Sequence, residues 1–331
     1  MTTESIPHEL IPDVSVVSVN YNGLHFLENF LNSLKNAFER YTFETIIIDN
    51  ASSDGSQAFL RGRNDILYIE SSENLGFTGG NNRAVGKASG KVVLLLNNDT
   101  RVESCLDPLI DMALKEDVGV VGCRLIYGDG RLQFSAGLEH SPLRMVFSWL
   151  GFEKRHWLPS VFRRAQTDPA FYDVPHSEVD WVSGACLATR REVWETLNGL
   201  DEKFFMYCED VDYCYRVRKL SKKVVYLSNA TVTHFEGAGK PWIGRMALMR
   251  TVSSYKVFFS KYYSPPIFRI TQILLSIVFF TRAGAFFIKS FISDDRTKVL
   301  DKDKFSAYRE AAFELLKNSM KYNSFNSRNR A

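Results

Sequence analysis

Cysteine is scarce: five among 331 residues (Cys105, Cys123, Cys186, Cys208 and Cys214), odd in number and with no Cys-x-x-Cys pair. That usage fits neither a disulfide framework nor a zinc knuckle, and reduced, mostly buried thiols of a cytosolic protein are expected. Excess charge is also missing. Forty-one Lys and Arg face 38 Asp and Glu, a formal +3, too near neutrality for a field that gathers nucleic acid, so no nucleic-acid partner is expected. The first thirteen residues carry Glu4, Pro7, Glu9 and Pro12 and lack the basic start and apolar core of a secretory signal. An uninterrupted apolar run is absent too. Pro265 to Phe291 is strongly apolar, but Arg269, Arg282 and Lys289 break it. Its longest uncharged stretch, Ile270 to Thr281, falls short of the about 18–20 residues that a simple spanning helix needs. What is present is a globular balance of 45% apolar, 24% charged and 13% aromatic residues, which excludes a disordered or collagenous chain.

From Val14 onward, short β-branched runs alternate with amphipathic stretches at helical period, the pattern of an α/β chain with a parallel sheet covered on both faces. The runs are Val14 to Val19, Thr45 to Ile48, Ile66 to Ile69 and Val92 to Leu96. Leu24 to Leu34 and Leu106 to Leu114 keep the i, i+3, i+4, i+7 spacing of core-facing helices. Ser141 to Pro175 reads as a mobile or substrate-facing insertion, longer than a structural connection usually is. Order returns with a strand at Val179 to Ala188, helices at Arg190 to Thr196 and Asp210 to Leu220, and strands at Val224 to Leu227 and Thr231 to His234. Pro265 to Phe291 suits a helix lying in a membrane interface, or equally one packed on protein. The tail, Asp294 to Ala331, reads as one helix with a frayed end.

In an open parallel sheet, ligands bind beyond the carboxyl ends of the strands, so the residues following each run are candidate contacts. Asp49, at one such end, is placed to accept hydrogen bonds from a base edge or a ribose, while Asp54 is better placed to cap a helix. Asn74 to Asn82 is a glycine-rich loop opening a helix, suited to an anion or to a plain tight turn. It lacks the Lys-Ser/Thr of a P-loop and the spacing of a dinucleotide fingerprint. Asp99 emerges where a diphosphate and a hard divalent cation could lie, and His234 could add an imidazole. Glu209, Asp210 and Asp212 crowd the first turn of a helix. The helix dipole alone favours acids there, but Glu209 or Asp210 could act as a general base, and Asp212 could pair with Arg216.

In this order, the stretches resemble the inverting family 2 glycosyltransferases, in their rhamnosyltransferase-like branch. The motifs are Val17 to Gly23, Ile47 to Ser56, Asn74 to Asn82, Leu96 to Asp99, Val182 to Ala185, Glu209 to Asp212 and Thr233-His234. The resemblance implies a GT-A fold, a Rossmann-like mixed sheet flanked by helices, with a C-terminal helical extension. The resemblance spans residues 14 to about 240, so the chain divides into an N-terminal extension (1–13), a glycosyltransferase domain (14–245) and a helical region (246–331) that lies on a membrane or packs on protein. Within the domain, 14–125 would bind the nucleotide and 126–245 the acceptor, with the insertion at 141–175.

The resemblance also implies roles. Asp49 would contact the nucleobase, with Asn20 and Asn22 beside the nucleotide. Asn74, Gly79, Gly80 and Asn81 would shape the nucleotide and diphosphate site together with Asn98 and Asp99. Asn97 replaces the first acid of the family's Asp-x-Asp motif, leaving Asp99 and His234 to hold Mn²⁺ or Mg²⁺. Asp210 matches the catalytic base, with Glu209 and Asp212 as supporting acids, and Trp181, Ser183 and Gly184 would line the sugar pocket. The implied reaction takes a sugar from a nucleotide-diphospho-sugar to a hydroxyl of a cell-surface polysaccharide or lipid-linked glycan; the branch favours rhamnose from dTDP-rhamnose, with UDP-linked hexoses and galactofuranose open. Its place would be the cytoplasmic face of the membrane, with 265–291 as the membrane interface and an oligomer as an open state. A nucleotidyltransferase would need a basic residue in the first loop, which Asn20 to Leu24 lacks, and an inactive membrane-recruiting scaffold would not need Asp99, Asp210 and His234.

Overall fold

The computed structural model describes residues 11–153, 158–235 and 244–317. Most of the N-terminal extension, the segment following Phe235 and the end of the tail, where fraying is expected, lie outside the described residues. The first half runs β1 (Val14–Asn20), α1 (Leu24–Leu34), β2 (Phe43–Asn50), α2 (Ser56–Arg61), β3 (Leu67–Ser71), α3 (Gly76–Val85), β4 (Val92–Leu96), β5 (Thr100–Val102), α4 (Asp107–Ala113) and β6 (Val118–Tyr127). Then come β7 (Leu132–Gln133), β8 (Ala136–Gly137), α5 (Pro142–Trp149), β9 (His176–Val179), β10 (Trp181–Val182), β11 (Cys186–Arg190), α6 (Arg191–Thr196), α7 (Glu209–Lys219) and β12 (Lys223–His234). Three long helices follow: α8 (Arg245–Tyr262), α9 (Pro265–Ile292) and α10 (Asp295–Leu316).

The main path of the large sheet is β3-β2-β1-β4-β11-β6-β12-β5. Strands β1 to β4 are parallel, whereas β11 enters antiparallel between β4 and β6, and β5 lies antiparallel on β12. The sheet is therefore mixed, as the resemblance implied. Strand β4 shows why its sequence is continuously apolar: Val92, Leu94 and Leu96 enter one core with Leu27, Phe30 and Leu109, while Val93 and Leu95 enter the core on the other face. A strand buried on both sides has no polar face to offer, and each such side chain contributes about 1.5–3 kcal/mol by leaving water.

Three expectations about elements need correction. Val179 to Ala188 is not one strand: Trp181 and Val182 pair with Gly137 and Ala136 in a separate small sheet, and Ser183 to Ala185 turns the chain into β11 beside β4. Val224 to Leu227 and Thr231 to His234 are instead one strand, whose register against β6 shifts between Leu227 and Thr231. The described parts of 141–175 are packed rather than detached. Met145 and Tyr172 have no exposed surface, and the Trp149 ring meets Phe279 edge-on at 4.8 Å. This segment thus bridges the sheet to the C-terminal helices.

Candidate active site

The carboxyl ends of β1 and β2 are in register at Asn20 and Asp49. Asn20 Nδ2 donates to Asp49 Oδ2 at 2.7 Å and to Ser52 Oγ at 3.1 Å, while Asn20 Oδ1 accepts from Asn98 Nδ2 at 2.6 Å. Asp49 Oδ1 accepts from the Ser52 N–H at 2.8 Å and from Gln57 Nε2 at 3.2 Å, and the residue has no exposed surface. Its carboxylate therefore holds the ends of β1 and β2 and the following loop together. Asn22 Oδ1 accepts from the Ser53 N–H at 2.8 Å, which pins the first loop to the second. Asp54 is not the N-cap expected of it: Gly55 holds that position in α2, and Asp54 instead ties the starts of α1 and α2 together, accepting from the N–H groups of Leu24 and Ser56 at 2.9 and 3.0 Å.

The stretch from Asn74 to Asn82 is mostly helix: Gly79, Gly80 and Asn81 lie inside α3. Asn74 Oδ1 accepts from the Gly76 N–H at 2.9 Å and so occupies one donor at the helix start. Gly76 sits at φ +75, and a Cβ there would strike the Phe205 carbonyl, whose oxygen accepts from the Phe77 N–H at 2.8 Å. Gly80 lets the helix lie against the sheet, since a Cβ would fall 3.0 Å from Asn50 Nδ2 and from both Val19 methyls. These glycines serve close approach of α3 to the strand ends and to the Phe205 loop.

Asp99 and His234 are far apart in sequence and meet because β5 pairs with β12, setting Thr100 opposite His234. Asp99 Oδ1 lies 3.3 Å from His234 Nε2, and both residues are buried. His234 Nδ1 is 3.1 Å from Gln133 Oε1 and Nε2 is 3.4 Å from Asn97 Nδ2. In the tautomer with the proton on Nδ1, donated to Gln133, the Nε2 lone pair faces Asn97 and Asp99. Adjacent ligands of an octahedral cation at about 2.0–2.1 Å sit about 3 Å apart, so Asp99 Oδ1 and His234 Nε2 suit one such ion. Among the described residues no group of three or more His, Cys, Asp and Glu could hold a metal. Any remaining coordination positions would fall to substrate oxygens and water. Gln133 escaped sequence reasoning because a two-residue strand carries no periodic signal.

Asp210 opens α7 and turns toward the same region. Its Oδ2 accepts from the Gly184 N–H at 3.0 Å and its Oδ1 from the Val211 N–H at 2.8 Å. The neighbouring Ala185 carbonyl accepts from the Asn97 N–H at 3.0 Å, so one short turn ties Asp210 to the Asn97-Asn98-Asp99 loop. Burial raises the Asp210 carboxyl above its ordinary range, opposed by the Gly184 and Val211 N–H groups and the Arg164 charge. Glu209 is buried, its Oε2 has no hydrogen-bond partner, and burial with the Asp210 charge pushes its pKa well up. Tyr207 and Cys208, just before them, hold φ of 72 and 64, and Asn22 and Ala51 hold 52 and 62 at the other strand ends. Left-handed non-glycine backbone costs energy and gathers where geometry is imposed for function.

Two expected residues are directed elsewhere. Asp212 is fully buried and accepts from Arg216 Nε at 2.7 Å, Lys261 Nζ at 2.7 Å and Tyr262 OH at 2.6 Å. It is a clamp between α7 and α8. The Trp181 indole is buried and donates to the Leu138 carbonyl at 2.9 Å, so its ring belongs to the core. Ser183 and Gly184 do stand at the turn facing Asp210, where a Cβ on Gly184 would lie 3.4 Å from the Phe77 ring.

A mixed α/β sheet with a carboxylate and an imidazole paired at its strand ends, and a buried carboxylate tied to that loop through one turn, is the framework of an enzyme. The chain belongs to glycosyl transferase family 2, whose model matches residues 15–195, and within it to the rhamnosyltransferase-like branch. It is 31% identical over 235 residues to an N-acetylglucosaminyl-diphospho-decaprenol L-rhamnosyltransferase of Mycobacterium tuberculosis, covering 66% of this chain and 75% of the relative. The O-antigen biosynthesis protein RfbC of Myxococcus xanthus is 33% identical over 166 residues, 48% of this chain and 12% of its own length. Among solved structures, the mannosyltransferase PcManGT of Pyrobaculum calidifontis, in complex with GDP-Man and Mn²⁺, aligns with a TM-score of 0.54 at 16% identity over 93% of this chain and 88% of its own. GalNAc-T7 with UDP, GalNAc and Mn²⁺ aligns with a TM-score of 0.52 at 17% identity, over 77% and 52%. Those likenesses show the fold, GT-A, as expected. The family match ends before Asp210 and His234, so their roles rest on the geometry.

Proposed function

We propose that this glycosyltransferase moves rhamnose from dTDP-rhamnose, with inversion, to a hydroxyl of a lipid-linked glycan presented at the cytoplasmic face of a membrane. The observation carrying this reading is the convergence of Asp99 and His234, 3.3 Å apart, with Asp210, joined to them through the Gly184-Ala185 turn. The sugar and the acceptor are supported by the mycobacterial relative, whose name specifies L-rhamnose transfer to N-acetylglucosaminyl-diphospho-decaprenol.

Asp210 takes the proton of the acceptor hydroxyl while that oxygen attacks the anomeric carbon, and the bond from that carbon to the diphosphate oxygen breaks in the same displacement. The bonding electrons leave with the nucleoside diphosphate. Asp99 and His234 would hold a divalent cation that neutralises the charge growing on the departing diphosphate. The Gly184 and Val211 N–H groups fix the Asp210 oxygens, orienting the base without supplying its proton. No covalent sugar-enzyme intermediate is needed, because a single displacement inverts the centre.

The test is D210N. Transfer of label from dTDP-rhamnose should fall by about 10²–10⁴, while dTDP binding stays within twofold of wild type. The base works deprotonated, so the wild-type rate should fall on acidification at a pH above the ordinary aspartate value of 3.8, since burial raises Asp210. Unchanged turnover in D210N would remove it as the base.

A further inference from the structure

We infer that the outer face of α9 docks the enzyme on an anionic lipid bilayer, lying along the surface rather than crossing it. This deepens the reading of a lipid-linked acceptor and rests on it. The face is continuous. Between Ile270 and Ile288 the exposed side includes Ile270, Ile273, Leu274, Ile277, Phe280 and Ile288, each 36–66% exposed. The sole charge in that span, Arg282, turns inward, donating to the Trp149 carbonyl and lying over the Trp149 and Tyr308 rings. Arg269 and Lys289, both exposed, bound the apolar band at its two ends.

Length alone would let α9 span a membrane: 28 residues and a mean hydropathy of 1.6 meet that requirement. Its other face excludes it. Gln272 Nε2 donates to the Leu315 carbonyl at 2.7 Å and Ser276 Oγ to the Ala312 carbonyl at 2.9 Å, fastening α9 along α10. Helix α10 carries exposed Lys302, Asp303 and Arg309, so taking this pair into hydrocarbon would bury its charges. A helix with one face sealed on a charged partner and the other apolar fits the boundary between headgroups and acyl chains.

Charge selects the occupant. Residues 245–331 hold 16 Lys and Arg against six Asp and Glu, whereas residues 1–244 hold 25 against 32. A second copy docking through the same face would set two strongly positive regions against each other. An anionic bilayer attracts that region, and each Lys or Arg near such a surface contributes about 1 kcal/mol. The catalytic part, of opposite sign, is repelled and stays in water. The face also connects to the site: α8 lies between, with Ser254 Oγ donating to the Met206 carbonyl at 2.8 Å and Lys261 and Tyr262 bonded to Asp212.

The experiment is flotation of the full chain with phosphatidylcholine vesicles, with and without phosphatidylglycerol, across a salt series. The wild type should float with the anionic vesicles, far less with the neutral ones, and progressively less as salt rises. The triple variant I270S/I277S/I288S should lose at least about tenfold in partitioning, with an unchanged circular dichroism spectrum and unchanged hydrolysis of dTDP-rhamnose in vesicle-free buffer. Failure of the wild type to float, or equal flotation of the triple variant, would overturn the inference. So would a wild-type dimer that the triple variant converts to monomer, which would assign the face to a second copy. Absence of donor hydrolysis in both proteins would count against the dTDP-rhamnose reading and leave the flotation result standing.

Discussion

Glu209 shows how a single side chain divides stability from function. A buried carboxylate with an unpartnered Oε2, next to the Asp210 charge, is easier to hold protonated than ionised. Its folded pKa lies well above the ordinary 4.5, so between those two values the native state keeps a proton that the unfolded chain releases. Stability therefore falls as pH rises through that window. E209Q keeps the shape without the ionisation, and its Tm at pH 7 should exceed wild type by about 2 °C, with the gain vanishing below about pH 4. A scanning-calorimetry pH series in which E209Q melts below wild type at pH 7 would refute this. Spacing alone does not separate the three acids, because crowding in a first helical turn looks alike whether a carboxylate faces a turn, a core or another helix; only the family resemblance singles out Asp210. Asp210 meets the Gly184 N–H, Glu209 sinks beneath it, and Asp212 turns to α8.

Among elements, the β-branched runs gave away the parallel half because strands buried on both faces have little choice of residue. Strand β4 and helix α1 match the expected Val92 to Leu96 and Leu24 to Leu34 end for end. The second half was harder to read. Strands of two or three residues such as β5, β7 and β10 are defined by partners far away in sequence, and β5 is what brings Asp99 to His234. Helix α8 carries a consequence of that kind. Lys261 and Tyr262 reach Asp212 across about fifty positions, 2.7 and 2.6 Å from its Oδ1. D212A would take from Arg216 and Lys261 the buried carboxylate that both bond, although Lys261 keeps Asp201 at 2.6 Å and Arg216 keeps the Leu197 and Gly199 carbonyls, and should cost about 1–3 kcal/mol, measured as a lower urea midpoint. A midpoint unchanged from wild type would mean that α7 and α8 hold together without the clamp.

For the molecule as a whole, Asp99, Asp210 and His234, spread over more than a hundred positions, are joined through the ends of β4 and β12 and the Gly184-Ala185 turn, and a helical annex braces the segment that carries Asp210, the proposed base. Asp49 stands somewhat apart in this arrangement, since its oxygens already tie the first two strands together. On the proposed roles, Asp99 with His234 and Asp210 should separate functionally: the first pair would set how the diphosphate is held, the second whether the acceptor reacts. Calorimetric titration of dTDP into wild type, D99A and D210N, with and without Mn²⁺, tests that most directly. Mn²⁺ should tighten dTDP at least about tenfold in wild type and in D210N and leave D99A unmoved. Equal tightening in D99A, or its loss in D210N, would contradict the shared site on which this account depends.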